Sequence, residues 1–67
     1  MNTIAQPNTS IIEKADFIDI LSGEFTVTKG FGVYAFLSFR DIENLYNDFQ
    51  HKTVPAKVFI KFFVRHF

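Results

Sequence analysis

The sequence predicts an α+β protein, a small antiparallel sheet of about three strands packed on one amphipathic helix at residues 39–50. Three observations carry that expectation. Residues 33–37 and 56–67 are dense in Val, Ile and Phe, which favour strands. Phe39, Ile42, Leu45, Tyr46 and Phe49 fall on one stripe of a helical wheel, with Asp41, Glu43, Asn44, Asn47 and Asp48 opposite. Gly23, Gly30 and Gly32 supply bends between the predicted strands.

Taken in order, residues 1–9 read as a flexible tail, polar and without periodicity, ahead of a single domain at 10–67. Ser10-Ile11-Ile12-Glu13 has capping-box spacing, so a short N-terminal helix is expected there. The apolar residues of Asp16-Phe17-Ile18-Asp19-Ile20-Leu21 scatter around a helical wheel and suit a strand better. Ser22-Gly23 marks a turn, Phe25-Thr26-Val27-Thr28 extends a hairpin, and Lys29-Gly30-Phe31-Gly32 gives the backbone freedom to bend or bulge it. Ser38-Phe39-Arg40-Asp41 is a second capping box, opening the amphipathic helix. In residues 56–67 the lysines and Arg65 recur every four residues, as on a helix, but the Val, Ile and Phe content arbitrates for a strand. That strand puts Val58, Ile60, Phe62 and Val64 on one face and Lys57, Phe59, Lys61, Phe63 and Arg65 on the other.

A chain of 67 residues has room for one small core and buries only about 60% of the surface its unfolded form exposes. Without cysteine it has neither a disulfide framework nor a thiolate metal site. Ten Phe and two Tyr are a large apolar load for such an interior, which points to self-association or a protein partner. The formal charge is zero, yet residues 1–50 sum to −4 and residues 51–67 to +4. A segregated cationic end suits nucleic acid, an anionic membrane or an acidic partner, or it pairs with the chain's own acidic helix. No targeting segment and no apolar run of membrane-spanning length is visible, so a cytoplasmic protein with no membrane span is expected.

Lys29-Gly30-Phe31-Gly32-Val33-Tyr34-Ala35-Phe36 resembles the octapeptide of the RNA-recognition motif. The order strand, octapeptide strand, acidic helix and last strand is similar to the second half of that fold, over residues 16–65. Val33 stands where the family carries its second stacking aromatic, and no counterpart of the family's first strand is present. The resemblance implies that Phe31 stacks on a base and Lys29 contacts phosphate, with Phe59 and Phe63 extending the stacking surface. Lys57, Lys61 and Arg65 would track the nucleic-acid backbone.

Other patterns are explained by local structure. Gly30-Phe31-Gly32-Val33-Tyr34-Ala35 fits a dinucleotide-binding spacing but leads into a predicted strand rather than a helix. His51 and His66 stand apart, with no acid or serine at a motif spacing, and Asp16 and Asp19 lack a second acidic cluster. Nothing assembles a nucleophile, a base and an orienting group, so no enzyme, metal or small-molecule cofactor is expected. The sequence favours a non-enzymatic regulatory or inhibitory protein, of the kind phages and mobile elements encode. It would dock a protein partner, or a second copy, through a Phe-rich sheet face of Lys29, Phe31, Val33, Lys57, Phe59, Lys61, Phe63 and Arg65. The alternative is a single-stranded RNA- or DNA-binding protein that uses the same face.

Overall fold

Phe17, Leu21 and Phe25 are spaced four residues apart, which stacks them on one face of an α-helix. In the computed structural model, which describes residues 12–67, all three are fully buried along helix α1 (Lys14–Lys29). A 3-10 turn (Val33–Ala35), α2 (Phe39–Gln50) and α3 (Ala56–Arg65) follow. The described residues contain no strand, so the chain is a small helical protein and the predicted α+β fold is corrected.

The reason lies in which pattern buries more. A strand over 16–21 would set Asp19 between Phe17 and Leu21 on one face and Asp16 beside Ile18 and Ile20 on the other, so a charged side chain would enter either apolar face. The helix gathers the seam onto one side, and tertiary burial outweighs the β-branched content and Gly23. The same choice decides residues 56–65, where Ala56, Ile60 and Val64 repeat at four-residue spacing and are all buried. Residues 33–37 form no strand either. Val33 plugs the core at 0% exposure and the chain turns tightly around it.

Helix boundaries follow from local chemistry. Ser38 Oγ accepts from the Asp41 amide and the Asp41 carboxylate accepts from the Ser38 amide, each at 3.1 Å, a complete capping box. Gly30 ends α1 in the left-handed region at φ 92°, its amide donating to the Thr26 carbonyl at 3.0 Å. Of the four residues at which a short N-terminal helix is predicted, Ile12 and Glu13 are described and are not helical, and α1 opens at Lys14. Ser10, Ile11 and the predicted tail at residues 1–9 lie outside the described residues.

The core is built around α1, which packs mainly on α3 and on the 3-10 turn and more lightly on α2. Aromatic rings fill it. Phe17 stacks on Phe49 with centroids 5.2 Å apart, and Phe25 stacks on Phe36 at 4.9 Å. The Tyr46 hydroxyl donates to the Ile12 carbonyl at 2.7 Å, tying α2 to the entry of α1. Because α2 and α3 both rest on α1, they leave a gap between them.

A groove between the second and third helices

That gap is an apolar groove of about 770 Å³. Its floor is made by Leu45, Phe59 and Phe63, each half-buried against the core. Val58 and Phe62 rise from α3 as a ridge along one side, 55% and 66% exposed. Phe62 is steadied by His66, whose ring lies 4.2 Å from its own and whose Nδ1 donates to the Phe62 carbonyl at 2.9 Å. Opposite stand Asp48 of α2 and its ion-pair partner Lys52, and an adjoining hollow of about 520 Å³, lined by Asp41, Asn44 and Asp48, runs on towards Phe36 and Leu37.

Charge is divided across this face. At 100° per residue, Lys57, Lys61 and Arg65 form one stripe on α3, between the buried seam of Ile60 and Val64 and the Val58–Phe62 ridge. The acids of the groove and the hollow belong to α2. Among the described residues the ion pairs are Lys14 with Glu43 and Lys52 with Asp48, the latter at 3.9 Å. Lys57, Lys61 and Arg65 take part in neither, so the internal pairing that the sequence allows for the cationic end is confined to Lys52.

The predicted site residues are thus redistributed. Lys57, Lys61 and Arg65 do line up with one another, and Phe59 and Phe63 sit together, but on the groove floor. Lys29 is exposed in the last turn of α1, and Phe31 is 66% exposed in the loop after it; neither lines the groove. Val33 is wholly buried and presents no surface. The sheet face that was to hold all eight does not form.

Sequence reasoning missed Leu45, Asp48, Val58 and Phe62, having placed Val58 and Phe62 on the strand face opposite the expected docking face. The four-residue recurrence of the cations was the signal that leads to them. A second apolar patch exists where Tyr34 and Phe39, 58% and 74% exposed, meet edge to face at 5.5 Å. Those two rings partly cover each other, whereas the groove is concave and open.

Among the described residues no three His, Asp or Glu side chains gather to hold a metal ion. No helix there is long and apolar enough to cross a membrane. No protein family, curated protein or solved structure matches this chain.

Proposed function

We propose that the protein is a small non-enzymatic interaction module, regulatory or inhibitory in action, that docks another protein chain in the groove between α2 and α3. The observation that carries this reading is the Val58–Phe62 ridge beside a cavity of about 770 Å³ floored by Leu45, Phe59 and Phe63. A groove of this shape takes the apolar face of an amphipathic helix, whose side chains at four-residue spacing fill it in succession. Leaving Phe62 two-thirds in water forgoes about 1–2 kcal/mol that a docked partner recovers.

The reading is tested with the environment-sensitive dye anilinonaphthalene sulfonate and two exposed variants. Phe62→Lys, in the groove, is expected to abolish most dye fluorescence, while Phe39→Lys, on the other apolar patch, leaves it intact. The reverse order would overturn the assignment of the groove.

Nucleic-acid binding is the second reading. It is favoured by the alignment of Lys57, Lys61 and Arg65 beside the exposed Phe62 ring, cations next to a stacking surface. Lys29 and Phe31 are exposed too, but at the end of α1 and in the loop after it, not on the sheet strand that the RNA-recognition resemblance implies.

A further inference from the structure

We infer that the occupant of the groove is a second copy of this chain, related by a two-fold axis running along α3. The inference rests on the groove being a protein-docking site and names its partner. Across the exposed face the order is fixed: on α2 Asp48 at the groove, beside Lys52, and Asp41 at the adjoining hollow, then the groove and the Val58–Phe62 ridge, then the basic stripe of Lys57, Lys61 and Arg65. A two-fold axis parallel to the ridge, along the boundary between ridge and groove, exchanges the two flanks. It lays Asp41 and Asp48 of each copy over the basic stripe of the other, while the ridge of each enters the other's groove. An axis across the ridge would instead set acid on acid and base on base, which is repulsive.

The charge inventory agrees with self-pairing. The net charge is zero, made of −4 in residues 1–50 and +4 in residues 51–67. The three cations of α3 join no ion pair among the described residues, so they are available to a partner. A specific interface needs about 600 Å² from each partner, roughly an eighth of the 4500 Å² of accessible surface here.

The chain has no cysteine, so introduced ones act alone. Val58 and Arg65 both lie on the outer side of α3 and are about 10 Å apart along its axis. A parallel two-fold pair predicts that Val58→Cys, on the ridge beside the axis, cross-links to itself on mild oxidation, that Arg65→Cys, on a flank facing the partner's α2, does not, and that a mixture yields no 58-to-65 species. Sedimentation velocity of the full chain, from micromolar to millimolar, is expected to show a dimer. Lys61→Glu should weaken it about tenfold, with recovery on adding Asp48→Lys. Cross-links between 58 and 65, or a dimer indifferent to Lys61→Glu, would overturn the proposed arrangement. A monomer at every concentration overturns the second copy as occupant. If that monomer still binds the dye through Phe62, the docking site stands and only its occupant was wrong; if it binds none, both fail.

Discussion

The Ser22 hydroxyl accepts a hydrogen bond from the Val33 amide at 3.2 Å, fastening the 3-10 turn to the middle of α1. Gly32 lies against the same oxygen, and a Cβ there would come within 2.8 Å of it. Ser22→Ala leaves a part-buried amide without its partner and should cost about 1–2 kcal/mol. Gly32→Ala should cost a similar amount by pushing the hydroxyl aside. Because the clash is with Oγ itself, Gly32→Ala should cost less in the Ser22→Ala background. Urea unfolding of the four chains checks this; strictly additive losses would contradict the contact.

A second tie predicts a loss of comparable size. Tyr46→Phe removes only the hydroxyl that donates to the Ile12 carbonyl at 2.7 Å. A loss of about 1 kcal/mol is expected, with the helical circular dichroism unchanged. A thermal melt measures it.

Two phenylalanines, Phe25 ahead of the octapeptide and Phe31 within it, should behave oppositely. Phe25 is fully buried and contacts Phe36 at 4.9 Å and Phe67 at 5.3 Å. Phe25→Ala should cost about 3–5 kcal/mol, enough to leave most of so small a domain unfolded at room temperature. Phe31 is 66% exposed, and Phe31→Ala should stay within about 0.5 kcal/mol. Circular dichroism melts of the two variants separate the cases at once.

Oligonucleotide binding separates the two functional readings. The docking account predicts no salt-dependent affinity for a mixed single-stranded oligonucleotide. Were Lys57, Lys61 and Arg65 phosphate contacts, log affinity would fall with log salt, and Lys61→Ala would flatten the slope by about 0.7. Fluorescence anisotropy across a salt series gives the answer.

Much of α2 was legible because its signals are local. The capping box at Ser38 and the stripe from Phe39 to Phe49 agree, and the helix spans the predicted residues. Helix α1 was hidden because its buried seam is narrow. Phe17, Leu21 and Phe25 alone are fully buried, while Ile18 and Ile20 pack at its margins and blur the wheel. Helix α3 was hidden by composition. Val58, Phe62 and Phe67 remain on the outside, so the segment is apolar over most of its circumference and reads as a two-faced strand. The sequence thus pointed to surplus Phe and to a cationic last segment whose pairing with the acidic helix it left open, but not to the groove. A groove depends on how α2 and α3 each rest on α1, and no local pattern encodes that.

The most direct measurement places the photo-cross-linking residue benzoylphenylalanine at position 62 or at position 39 of the full chain, and irradiates cells expressing each. The account predicts a discrete covalent adduct from position 62, of twice the chain's mass, and none from position 39. No adduct at 62, or the same adducts at both positions, would contradict the claim that the groove between α2 and α3 is where this protein meets another chain.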